Sequence, residues 1–200
     1  MQVVNIKAES RTALGKKGAK ATRKQGMIPC VLYGGDEVVH FSTTLNEIRD
    51  LIYTPDFKLA EVEVDGKPFR CIVKDKQFHP VNDQIIHLDF LRLAEGNAVK
   101  VQVPVRFRGT SPGVKSGGKL IQNVRTVKIK ALPENIVDEL TVDISGLELG
   151  QSIRIRDIQP GEGIEILNAP GIPIATVEIP RALRSAQQAA AAAAAPAKKK

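Results

Sequence analysis

The chain has 200 residues with 29 Lys+Arg against 22 Asp+Glu, a formal charge of +7, two Cys, three His, six Phe, two Tyr and no Trp. That length allows one or two domains with cores of their own. Two Cys and three His without ligand spacing exclude a zinc-type site, and the few aromatics exclude a base-stacking platform of the single-strand-binding kind.

The charge is uneven. Residues 1–30 hold seven basic side chains and one acidic, residues 31–94 seven and eleven, residues 95–180 ten and ten, and residues 181–200 five basic and none acidic. A phosphate-facing surface must therefore come from the N-terminal stretch, helped by the tail. No apolar run reaches membrane-spanning length and no signal-peptide core follows Met1, so a cytoplasmic protein is expected.

Val3–Ala8 reads as a first strand. Glu9–Gly34 follows, carrying Arg11, Lys16, Lys17, Lys20, Arg23 and Lys24 against Glu9 alone. Gly15, Gly18, Gly26 and Gly34 break any uninterrupted amphipathic helix, so the expectation is a flexible basic chain tethered to an apolar anchor at Ile28–Tyr33. Such a segment suits a polyanion. A solvated basic loop, or a contact with an anionic membrane or protein, uses the same composition. Cys30–Gly34 reads as a short strand, and Gly34-Gly35-Asp36 as a turn before Val38–Phe41, giving a hairpin.

Thr44 and Glu47 have capping-box spacing, and Leu45, Ile48, Leu51 and Ile52 form an apolar helical stripe closed by Pro55, so the chain's best helix is expected over Leu45–Tyr53. Strand patterns follow at Phe57–Val64, with an apolar phase shift between Leu59 and Ala60 that calls for a bulge, then at Phe69–Phe78 and Ile85–Leu93. In the last, Ile86, Leu88 and Phe90 point one way, while His87 and Asp89 share the other face. The first ninety-odd residues thus suggest a mostly antiparallel barrel or curled sheet with one helix, ending near residue 94.

Val99–Phe107 alternates strictly, and Pro104 demotes it to an edge strand. Gly109–Lys119 reads as a long flexible loop. Short strands at Arg125–Ala131, Leu140–Ile144, Ser152–Ile155, Ile164–Ile166 and Ala175–Ile179 make a second, nearly all-β domain with a helical turn or two. After Pro180 the sequence runs through seven alanines to Lys198-Lys199-Lys200, an exposed tail able to touch phosphate without selectivity. Cys30 and Cys71 lie in apolar runs and read as buried, inert thiols.

Nothing here converges on catalysis. Gly15-Lys16-Lys17-Gly18 lacks P-loop spacing, and His40, His79 and His87 have no legible nucleophile partner. The reading is of no catalytic residue, no cofactor, no metal and no small-molecule substrate. His87 with Asp89 fits either local stabilisation of the sheet or recognition of a wide, shallow RNA minor groove, where 2′-hydroxyls and base edges are reachable. Lys74, Lys76 and Gln77 lie beside them if the two strands pair.

Arg11–Gly18 (RTALGKKG), Arg23, Gly26, Ile28-Pro29, Val31–Gly34, the His87-Leu88-Asp89-Phe90 strand and Gly109–Lys115 followed by Gly117-Gly118 together resemble the bacterial 5S-rRNA-binding large-subunit ribosomal protein family, in its long, general-stress Ctc form. The likeness spans residues 3–180 and leaves out the tail. It implies a mainly β chain: a six-stranded β-barrel-like RNA-binding domain with a helix (residues 1–94), a β-rich C-terminal domain (95–182) and an Ala/Lys tail (183–200). It also implies binding to the loop E region of 5S rRNA from the minor-groove side, as a monomer among the rRNA and proteins of the large subunit, with no membrane contact. A stress-related, ribosome-associated RNA-binding accessory protein is the alternative. The RNA-binding residues it points to are Arg11, Lys16, Arg23, Tyr33, His87 and Asp89, with Lys74 and Gln77 matching less closely and Lys17 and Lys20 completing the basic set. Cys30 replaces a small residue more usual after the proline.

Overall fold

The structure is a computed structural model and describes residues 2–35, 37–94, 96–181 and 185. In chain order the first half comprises β1 (Val3–Ser10), α1 (Gly15–Lys24), β2 (Met27–Tyr33), β3 (Val39–Thr44), α2 (Leu45–Ile52), β4 (Leu59–Val64), β5 (Lys67–Phe78) and β6 (Ile85–Arg92). The six strands close into a barrel in the order β1-β3-β2-β6-β5-β4. The β1–β3, β3–β2, β6–β5 and β5–β4 seams are antiparallel, so the mostly antiparallel barrel stands. Two seams, β1–β4 and β2–β6, are parallel.

Alternation along each strand sends one face inward. Ile6, Cys30, Leu32, Phe41, Val62, Cys71, Leu88 and Phe90 fill the barrel, joined by Ile48 and Ile52 of α2, which lies against β1 and β3. The Phe41 and Phe90 rings meet with centroids 5.5 Å apart in a tilted arrangement. Both cysteines are free and buried, as expected; burial pushes the Cys71 thiol up to about 12 and moves that of Cys30 the same way.

The basic segment is not the flexible chain expected from its glycines. α1 is a ten-residue helix, longer than α2. Gly15 (φ +80°) and Gly26 (φ +78°) bracket the helix in left-handed conformations, which only glycine adopts cheaply. Gly18 and Thr22, one turn apart, form the buried face, and the Thr22 hydroxyl donates to the Gly18 carbonyl at 3.0 Å. A Cβ on Gly18 would stand 2.1 Å from the Ala13 carbonyl oxygen, so the glycine is what lets the helix lie against the chain leading into it. Lys16, Lys17, Lys20, Arg23 and Lys24 all remain exposed.

Other local expectations are corrected. Thr44 precedes α2 in an extended conformation but makes no side-chain capping bond; Glu47 accepts from the Lys7 backbone N–H at 3.5 Å instead. No bulge separates Leu59 from Ala60, because β4 runs in unbroken register beside β1 from Val3↔Leu59 to Ala8↔Val64. The irregularities lie in the β5–β6 pairing: Lys74 is unpaired between Val73 and Asp75, and Ile86 is unpaired opposite the Gln77–Phe78 step, so Ile85 rather than Ile86 joins Leu88 and Phe90 in the core. The β2–β3 hairpin forms around residues 34–38, of which Asp36 is outside the described residues.

The second half supplies β7 (Val99–Arg108), α3 (Pro112–Lys115), β8 (Lys119–Gln122), β9 (Thr126–Ala131), β10 (Leu140–Asp143), β11 (Ser152–Arg154), β12 (Ile164–Ile166) and β13 (Pro173–Glu178), with single 3-10 turns at Pro133–Asn135 and Ile155–Asp157. They form sheets in the orders β10-β7-β9-β12 and β11-β13-β8. β7 is therefore an interior strand, not an edge. Its pairing with β10 begins at Val105, one residue past Pro104, so that ladder never calls on the missing N–H. The 109–119 segment is built rather than loose. Ser111 caps α3, accepting from the Val114 N–H at 3.3 Å and donating to the Leu147 carbonyl, while Gly113 sits where a Cβ would strike the Glu148–Leu149 backbone.

Among the described residues the chain divides into two compact units, Met1–Pro104 with Lys128–Glu139 and Gly161–Ile166, and Val105–Val127 with Leu140–Pro160 and Leu167–Lys200. The Ala/Lys tail expected over 183–200 lies outside the described residues apart from Ser185.

Candidate nucleic-acid interface

β6 has an inner and an outer face. Leu88 and Phe90 are fully buried, whereas the His87 and Asp89 side chains are 26% and 29% exposed. They are joined to one another, His87 Nδ1 to Asp89 Oδ1 at 2.7 Å. Period-two geometry on a barrel strand forces both outward and brings their tips together.

Register fills in the surroundings. On one side Gln77 of β5 stands opposite His87, and Asp75 opposite Asp89. On the other side, Val31 of β2 stands beside Asp89 and Tyr33 beside Leu91. Two carboxylates facing each other across a seam repel, which makes the patch a ready acceptor for hydroxyl or amino donors. Tyr33 feels both. Its hydroxyl is pushed above the usual tyrosine value by burial first, then by the charges of Asp89 and Asp75, so it stays a neutral donor.

α1 is tied to this face: Arg23 Nε donates to the carbonyl of Ile86 at 3.1 Å, one residue before His87. Lys16, Lys17 and Lys20 extend the cationic surface along the helix. The Arg11 backbone N–H donates to the His40 carbonyl at 2.9 Å, which continues the β1–β3 ladder. Its guanidinium Nε and Nη1 are buried without a partner. Arg11 and Asp89 both act on the Cys30 thiol through space, the first lowering and the second raising it against the dominant effect of burial. Two buried, unpaired donors on one guanidinium are costly to maintain.

The structure thus brings Arg23, Tyr33, Gln77, His87 and Asp89 to one region, with Lys16, Lys17 and Lys20 on the helix attached to it. Lys74 is the extra residue of the first bulge, and its ammonium donates to the Lys100 carbonyl at 2.9 Å. Sequence reasoning missed Asp75, because the bulge at Lys74 resets which β5 residues share the outer face. Among the described residues, no group of three or more His, Cys, Asp or Glu is arranged to hold a metal ion, and no helix is long and apolar enough to cross a membrane.

A closed β-barrel that sets a lysine-rich helix beside a His-Leu-Asp-Phe strand is the architecture of a ribosomal-RNA-binding protein. Residues 6–90 match the ribosomal L25p family, and residues 98–181 match the C-terminal domain of ribosomal protein TL5. Large ribosomal subunit protein bL25 of Cytophaga hutchinsonii is 45% identical over 191 residues, covering 96% of this chain and 99% of that protein. The proteins of the same name from Bacteroides fragilis (40% over 195 residues, 95% and 99% covered) and Parabacteroides distasonis (42% over 178 residues, 89% and 91% covered) are similar throughout. The chain belongs to the ribosomal L25p family, in the form that carries the TL5 C-terminal domain. That is a family of large-subunit ribosomal proteins, not of enzymes.

Proposed function

We propose that this chain is a cytoplasmic structural constituent of the large ribosomal subunit that binds 5S rRNA in its loop E region from the minor-groove side, as a monomer. The observation that carries this reading is the bonded His87–Asp89 pair, half-exposed on β6 and flanked by the Arg23 tether of α1. The lysines of α1, with Arg11, neutralise backbone phosphates, which positions the protein; Arg23 holds the helix beside β6, where His87, Asp89, Gln77 and Tyr33 meet 2′-hydroxyls and base edges, which selects the RNA. Lys74 belongs with the positioning set. The functional boundary falls near residue 94, in keeping with family matches that end at residue 90 and resume at residue 98. The β-rich half, with Arg106, Arg108, Lys115 and Lys119, bridges to neighbouring rRNA or protein.

Salt-titrated binding of the full chain to 5S rRNA tests the assignment. Arg23→Ala and Asp89→Asn should each lower specific affinity roughly tenfold or more, while Lys17→Ala should weaken binding to all duplexes alike and reduce the salt slope by about 1. Equal effects from all three would remove the case for a reading face distinct from the phosphate-binding one.

A further inference from the structure

The bond between His87 and Asp89 also fixes which way the imidazole can speak to a ligand. A carboxylate has only acceptors to offer, so at 2.7 Å the proton of the pair belongs on Nδ1 of His87. In the neutral ring the other nitrogen then carries the lone pair, on a side chain that is 26% exposed. Asp89 uses Oδ1 for this bond and keeps its second oxygen. From the rest of the surroundings, Gln77 and Asp75 stand on β5, Asp75 already accepting from the Lys76 N–H at 2.8 Å. Lys76 holds its ammonium over the Phe78 ring at 5.9 Å, Tyr33 lies on β2, and Arg23 is committed to the Ile86 carbonyl.

We propose that Asp89, through Oδ1, locks His87 in the Nδ1–H tautomer while its second oxygen stays available to the RNA, so that His87 Nε2 reads the RNA as a hydrogen-bond acceptor and selects a minor-groove donor, a ribose 2′-hydroxyl or a guanine 2-amino group. The inference rests on the minor-groove reading above and deepens it. It has a chemical consequence that phosphate binding does not share. An acceptor at Nε2 responds to a donor at one position of the RNA, so deleting that donor removes the preference of the native protein, whereas attraction to phosphate is untouched.

The full chain is titrated into a synthetic loop E duplex of 5S rRNA and into an unrelated RNA duplex, at fixed salt and neutral pH. Single 2′-deoxy and inosine replacements in the loop E duplex separate the two donors: one of them should lower the preference of the native protein about tenfold and leave that of His87→Ala unchanged. Long-range nitrogen–proton NMR of the free chain resolves His87 from His40 and His79 and should show a protonated Nδ1 and a bare Nε2 at neutral pH, a bias that Asp89→Asn relaxes. A protonated Nε2 at neutral pH overturns the proposal, as does a preference that no single replacement lowers, or a fall that His87→Ala shares in full. No preference for loop E over the unrelated duplex overturns the minor-groove reading itself, and this inference with it.

Discussion

Placing a methyl group on Gly18 sets two forces against each other. In a helix interior, alanine is favoured over glycine by about 1 kcal/mol, so propensity alone predicts that Gly18→Ala stabilises α1. Packing predicts the reverse. The new Cβ would lie 2.1 Å from the Ala13 carbonyl oxygen and 2.7 Å from its carbon, and both are backbone atoms with no rotamer to yield. Relief requires the helix or the 11–14 segment to move by about 1 Å, and overfilling of this kind costs about 1–3 kcal/mol. With backbone as the obstacle the upper part of that range applies, leaving a net loss of about 1–2 kcal/mol, read as a lower urea midpoint with an unchanged slope. The displacement should also reach the RNA. Arg23 holds the helix to Ile86 at 3.1 Å, so a shifted α1 loosens the tether beside His87 and lowers 5S rRNA affinity by about tenfold. A variant that is more stable by about 1 kcal/mol and binds as before would refute the reasoning, because it would mean that Gly18 is an ordinary helix position.

The two helix starts should respond differently. Ser111→Ala, which removes a buried hydroxyl bonded to both Val114 N–H and the Leu147 carbonyl, should cost about 1–2 kcal/mol in urea unfolding, while Thr44→Ala, at a start with no side-chain capping bond, should cost under about 0.5 kcal/mol. Phe90→Ala empties the centre of the barrel and abolishes the Phe41 contact, for an expected loss of about 3–5 kcal/mol by the same assay. The thiols give an alkaline signature. Burial lifts Cys71 from an ordinary 9.0 to about 12 and lifts Cys30 in the same direction, so above about pH 9 the unfolded chain releases protons that the folded chain keeps. Stability should be fully present below that pH and then fall, by about 1 kcal/mol per pH unit for each thiol, more steeply in the native protein than in a Cys30→Ala/Cys71→Ala variant; identical slopes would contradict it.

What was legible in the sequence was whatever depends on local alternation. The outward placement of His87 and Asp89 follows from Leu88 and Phe90 taking the core, and the hairpin before β3 from its glycines. What was not legible depends on contacts between distant segments. Glu47 has the spacing of a capping residue but answers the backbone of Lys7, a partner forty positions away. The glycines of α1 look like helix breakers in a linear reading, yet two punctuate its ends and one makes room for Ala13, distinctions that only position in space supplies. Asp75 escaped notice for a similar reason, since the bulge beside it is a property of the β5–β6 pair and not of β5. Pro104 misled because the rule against proline in interior strands concerns a particular unmade bond, and the β10 ladder begins just beyond it.

The two parallel seams of the barrel govern when the binding surface comes into being. β1 joins β4, and β2 joins β6, across more than fifty intervening positions, so neither junction can form by a simple reversal of the chain. During synthesis the lysine-rich helix is made early, but the strand bearing His87 and Asp89 is the last of the six, and its docking along β2 completes the wall of the cylinder. Until then the nascent chain offers phosphates the cations of its first thirty residues without the β6 pair. On the proposed reading, discrimination between one RNA and another begins only with closure, a slow, long-range step.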